Sequence, residues 1–107
     1  MRAALALLAI LFASPALAQI ITIAEIQRGT MVTISGTVDK VMDDDEFILA
    51  DETGNIPVYF SSSTPPVELG EPVTVHGYVD DELVLELYAH EITRADGTVL
   101  QVGQRYH

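Results

Sequence analysis

A chain of 107 residues that is 49% hydrophobic, lacks cysteine and carries a formal net charge of −11 reads as one small folded domain with an acidic exterior. That combination excludes a disulfide-stapled scaffold and a disordered polyanion. With 5 Lys and Arg against 16 Asp and Glu, no basic cluster exists to hold phosphate, so nucleic acid and anionic lipid are poor partners.

The first residues have the pattern of a secretory leader. Met1-Arg2 makes a short positive start, an apolar run follows from Ala3, and Ala16-Leu17-Ala18 supplies a small-residue cleavage site after Pro15. The apolar run is too short for about 30 Å of hydrocarbon, so no membrane anchor is expected after cleavage. Cutting after Ala18 leaves a single domain over residues 19–107, and losing Arg2 takes the formal charge from −11 to −12.

Thr22 and Glu25 have the spacing of a capping box, Ile21 and Ile26 are placed as a hydrophobic staple, and Gly29 suits a C-terminal stop. This predicts a short N-terminal helix from Thr22. A helix of that length does not hold alone, and the open end of a barrel is the surface it needs.

Two matching stretches follow, Val32-Thr33-Ile34-Ser35-Gly36-Thr37-Val38-Asp39 and Val73-Thr74-Val75-His76-Gly77-Tyr78-Val79-Asp80. Both alternate apolar and polar residues at period two, as half-buried strands do. Each puts a glycine on the inward face, which marks a bend where another backbone comes close. The first strand is predicted over residues 31–41. Its inward set changes parity between Val38 and Val41, which predicts a bulge at Asp39 or Lys40.

Asp43-Asp44-Asp45-Glu46 is a turn, residues 47–51 the second strand, Glu52-Thr53-Gly54-Asn55 a turn, and residues 56–60 the third strand. Pro57 cannot donate to a ladder, so its nitrogen is expected at a sheet edge or gap. Ser61-Ser62-Ser63-Thr64-Pro65-Pro66 reads as an irregular crossing to the fourth strand. The fifth strand is predicted over residues 83–93, with a second bulge near His90-Glu91 where the inward parity breaks. Asp96-Gly97 is a hairpin signal, so residues 98–102 are expected to fold back as a C-terminal extension.

Five short strands, bent at glycine in the first and fourth, with a long link between the third and fourth, fit an all-β five-stranded Greek-key barrel, the OB-fold. The stretches just quoted, with Asp51-x-x-Gly54-x-Ile56-x-Val58 and Leu85-Glu86-Leu87 leading to Ile92, resemble the bacterial OB-fold (BOF) family of exported YgiW/YdeI-like stress-tolerance proteins. The resemblance implies a periplasmic, non-enzymatic protein with a ligand-binding or stress-protective role. It implies no catalytic residues.

Candidate site residues come from the outward phase of the strands. Tyr59, His76, Tyr78 and Tyr88 all fall opposite the valines and leucines of the core, and aromatic rings with a polar handle suit stacking on planar groups. Pairing the fourth and fifth strands about Asp81-Glu82-Leu83 sets His76 opposite Tyr88, with His90 diagonal on the same face. With Glu86 these histidines form a candidate zinc or copper site. The carboxylates of Asp43, Asp44 and Asp45 suit a hard cation, but adjacent side chains in a turn diverge and the calcium-loop spacing is absent. Ser61, Ser62 and Ser63 have no histidine placed to activate them, so no enzyme and no cofactor are expected. The reading is a monomeric periplasmic module for a small uncharged or cationic ligand or a cell-envelope glycan. The runner-up readings are a metal-binding protein and a nucleic-acid-binding OB domain, the latter disfavoured by charge.

Overall fold

The computed structural model describes residues 19–43, 45–61, 67–81 and 85–103. The expected leader, Asp44, most of the Ser/Pro crossing, the predicted start of the fifth strand and the last four residues lie outside them. Seven strands are present among the described residues: β1 (Ile20–Ile21), β2 (Met31–Asp43), β3 (Glu46–Asp51), β4 (Gly54–Tyr59), β5 (Pro72–Val79), β6 (Leu87–Thr93) and β7 (Val99–Gln101).

Strands β2 to β6 close on themselves in the order β2, β3, β4, β6, β5, with β5 pairing back onto β2. The long strand β2 serves both sides: its first half pairs with β5 from Met31↔Tyr78 to Thr37↔Pro72, its second half with β3 from Thr37↔Ala50. Closure leaves one apolar interior. Ile34, Phe47, Leu49, Ile56, Val58, Val75, Val79, Leu87 and Ile92 are completely buried there, and Phe47 meets Phe60 with ring centroids 5.8 Å apart.

Both inward glycines are close approaches of backbone to backbone. A Cβ at Gly36 would run into the Ala50 carbonyl oxygen, and one at Gly77 into that of Tyr88, with the Ala89 Cα 2.9 Å away. The nearest atoms in both gaps are backbone, and although the Leu49 side chain beside Gly36 can yield, a larger residue at either position must move a strand. Both predicted bulges are present as well. Val38 pairs with Leu49 and Lys40 with Ile48, leaving Asp39 as the extra residue; His76 pairs with Glu91 and Gly77 with Ala89, leaving His90.

Pro57 lies opposite Ile48 of β3 and just before Val58, where the short pairing of β4 with β6 begins. The Asp96-Gly97 turn returns the chain so that β7 pairs antiparallel with β6, and Gly97 takes φ 91°. Beyond β7, Val102 donates its N–H to the His90 carbonyl and accepts from Ser61, which seats its side chain in the core.

The predicted N-terminal helix is not formed. Its place is taken by a single 3-10 turn, Ile23–Glu25, after which Ile26 is already extended. The capping signal is real: the Glu25 carboxylate accepts from the Thr22 N–H at 2.9 Å and from the Thr22 hydroxyl at 3.1 Å. The N–H groups of this first turn, which a helix leaves without internal partners, are satisfied from outside the segment. Ile23 donates to the Asp51 carboxylate and Ala24 to the Thr53 hydroxyl, which anchor the turn on the β3–β4 connection and sink Ile23 into the core. The surface expected to hold a helix holds one turn instead.

Candidate functional site

Outward side chains that are register partners lie side by side, so the strand order sets which groups meet. Tyr59 pairs with Tyr88 across β4 and β6, and their rings lie 5.9 Å apart, tilted by 33°. Tyr88 pairs in turn with Tyr78 on β5, and Tyr78 with Met31 on β2. Three of the four predicted site residues therefore form one row across the strands.

His76 is not beside Tyr88 as the sequence pairing had it. The β5–β6 connection is centred one residue later, with Val79↔Leu87 and Asp80 donating to the Glu86 carbonyl, so Tyr78 faces Tyr88 and His76 faces Glu91. The His76 Nδ1 lies 2.8 Å from the hydroxyl of Thr33, a polar side chain that is only 8% exposed. That contact ties β5 to β2. His90 sits exposed on its bulge, and His76, His90 and Glu86 are not brought together. Among the described residues no three His, Asp or Glu groups converge as a metal-ligand set. Of the acidic turn, Asp43 ends β2 opposite Glu46 and Asp45 accepts the Phe60 N–H through its carbonyl, while Asp44 and the Asp43 side chain lie outside the described residues.

The tyrosine pair is rimmed with carboxylates from two connections. The Tyr88 hydroxyl donates toward Glu86 at 3.3 Å and Asp80 at 3.4 Å; burial first, then the charges of Asp80 and Glu86, push its pKa up to about 12. Tyr59 is shifted upward too, by burial and then by the charges of Glu46 and Glu86, with Asp45 adding a smaller push. Both phenols stay neutral at ordinary pH and act as donors. Sequence reasoning named these tyrosines but not Glu46, Asp80 or Met31 as their neighbours. The signal was there in part: Asp80 stands two residues after Tyr78 and Glu86 two before Tyr88, the same outward phase.

The strand order and the β2–β5 closure make the architecture unambiguous. It is an OB barrel. No protein-family profile and no curated protein matches the sequence. Among solved structures the chain is similar in fold to the hypothetical protein YgiW from E. coli, with TM-score 0.55 and 21% identity, covering 77% of this chain and 94% of that one. It is also similar to a chain of the Stn1–Ten1 complex from S. pombe, with TM-score 0.56 and 17% identity, covering 79% and 83%. OB barrels take ligands on the face of their second and third strands, between the loops that follow the first and the fourth. In this barrel those strands are β3 and β4, and Asp45 follows the first barrel strand, β2, while Asp80, Asp81 and Glu86 lie between the fourth, β5, and the fifth, β6. The acid-rimmed tyrosine pair sits at that place.

Proposed function

We propose that the protein is an exported, non-enzymatic OB barrel that binds an organic cation at the Tyr59–Tyr88 pair, in a periplasmic, stress-protective role like that of the YgiW-like proteins its sequence resembles. The single observation that carries the reading is the pairing of two tilted, neighbouring phenols with carboxylates from the β5–β6 connection and from the start of β3. An aromatic face attracts a cation through its quadrupole, worth about 0.5–2 kcal/mol depending on how far the site is desolvated. Neighbouring carboxylates add a field of the same sign. Anionic ligands meet that field as repulsion, which sets the nucleic-acid use open to other OB barrels against both this face and the net charge of −11.

The test is an NMR titration with choline, following the ring resonances of Tyr59 and Tyr88. Choline is expected to shift both rings, and Tyr88→Ala to weaken binding by about 1 kcal/mol. Shifts spread over the whole acidic surface, or a Tyr88→Ala variant that binds as well as the parent, would move the site elsewhere. A soluble cell-wall fragment in place of choline tests the uncharged glycan. Binding of that fragment with no response to choline would replace the cation reading with the glycan one.

A further inference from the structure

The row does not stop at the tyrosine pair. Tyr59, Tyr88, Tyr78 and Met31 are successive register partners on β4, β6, β5 and β2, so their outward side chains lie side by side across four strands. Three strand spacings make the row about 14 Å long. Met31 is 49% exposed at its far end, an apolar, polarisable side chain that no core packing accounts for. Acid recurs along the row. Beyond the carboxylates around Tyr59 and Tyr88, the Asp81 Cβ and the Tyr78 hydroxyl flank one point beside Gly29, within 3.5 and 3.8 Å of where its Cβ would stand. Carboxylates thus gather at the Tyr59–Tyr88 end, one more aspartate stands near Tyr78, and the Met31 end is apolar.

We propose that the ligand is a linear aliphatic polyamine lying along this row, its methylenes over the rings and the Met31 thioether and its ammonium groups beside the carboxylates. The inference rests on the cation reading above and adds shape and length to it. A compact cation fills only the Tyr59–Tyr88 end, and a rigid planar one cannot follow the row. At about 1.2 Å per extended bond, a row of about 14 Å matches a chain of about twelve bonds, the reach of a tetra-amine. Butane-1,4-diamine spans less than half of it. The Met31 end therefore discriminates by length, whereas the pair of tyrosines discriminates by charge.

The experiment uses the protein carrying 13C-methyl methionine, titrated at constant ionic strength with butane-1,4-diamine, spermidine and spermine. All three are expected to shift Tyr59 and Tyr88, with only the longer two moving the Met31 methyl. Met31→Ala should weaken spermine about two- to tenfold and leave the diamine unchanged. A purely electrostatic association would rise with ligand charge in parent and Met31→Ala alike, with the Met31 methyl silent, and that result overturns the proposal. Choline binding that is matched by all three amines at equal affinity would sink the length argument while the cation reading stands. Failure of every cation to shift the tyrosines would remove both.

Discussion

The two ends of β5 use the same chemical group in opposite ways. Before Pro72, the Glu71 carboxylate is 12% exposed, accepts from Arg94 Nε at 2.8 Å and Nη2 at 3.0 Å, and also takes the Glu68 N–H. Beyond Val79, Asp80 and Glu86 close on the Tyr88 hydroxyl, a donor that brings no positive charge. A carboxylate answered by a guanidinium and backbone N–H groups is part of the framework. The carboxylates of Asp80 and Glu86 instead meet at a neutral phenol, the arrangement on which the proposed cation site rests. The surface between the ends follows the same division. At the Glu71 end, Ser35 and Thr74 share a 2.7 Å hydrogen bond across β2 and β5 beside a shallow groove that includes Thr93 and Arg94, a patch that joins strands.

The contrast can be broken most forcefully at the residue between the two ends. Gly77→Val puts methyl groups where the Tyr88 and Ala89 backbone already stands, and is expected to cost about 1–3 kcal/mol in urea unfolding and to disturb the tyrosine row with it. A variant that melts like the parent would mean that β5 and β6 separate there without penalty.

At the framework end, Glu71→Ala is expected to cost about 1–2 kcal/mol at neutral pH, since it removes charge-assisted bonds from a group that is mostly shielded. Its pH dependence separates framework from site. The hydrogen bonds from Arg94 hold the Glu71 carboxyl below its ordinary value of 4.5, so the stabilisation is present above that pH and is lost as pH falls through the lower folded value. The parent should therefore lose more stability than Glu71→Ala on acidification below pH 4.5. Parallel acid profiles would show that the ion pair contributes nothing, and choline affinity at neutral pH should be the same in both.

At the site end the expected effect on stability is smallest and lies at the other extreme of pH. Tyr88 ionises at about 12 in the folded protein against 10.0 ordinarily, so its stabilisation is intact below pH 10 and fades as pH rises toward 12. Tyr88→Phe should flatten that alkaline decline and change stability little at neutral pH. An unaltered alkaline profile would place the Tyr88 hydroxyl away from Asp80 and Glu86.

What the sequence disclosed and what it withheld divide along sequence distance. The inward valines, the two tight glycines, the extra residues at Asp39 and His90 and the Asp96-Gly97 turn each depend on a short window, where period-two alternation and turn chemistry act directly. The outward tyrosines were legible for the same reason. Their partners were not, because a turn centred one residue later slides β6 along β5 and exchanges His76 for Tyr78 opposite Tyr88. The carboxylate rim draws on two loops far apart in the chain. The short turn is also held from afar: Thr22 and Glu25 announce a start, while Asp51 and Thr53 seat that first turn, and Ile23 with it, on the β3–β4 connection from outside the window.

Closure of the barrel through β2 and β5 also fixes when the tyrosine row comes into being. The β2–β3–β4 meander is built from neighbours in sequence and contains, of the row, only its two ends, Met31 and Tyr59. Tyr78 and Tyr88 come between them only once β5 has crossed to β2 and β6 has docked on β4, pairings whose loop-closure entropy makes them intrinsically slow. A ligand spanning the row therefore has nothing to hold in a half-made chain. Its whole binding free energy falls on the completed barrel, so ligand concentration acts as a brake on unfolding and leaves the early meander untouched.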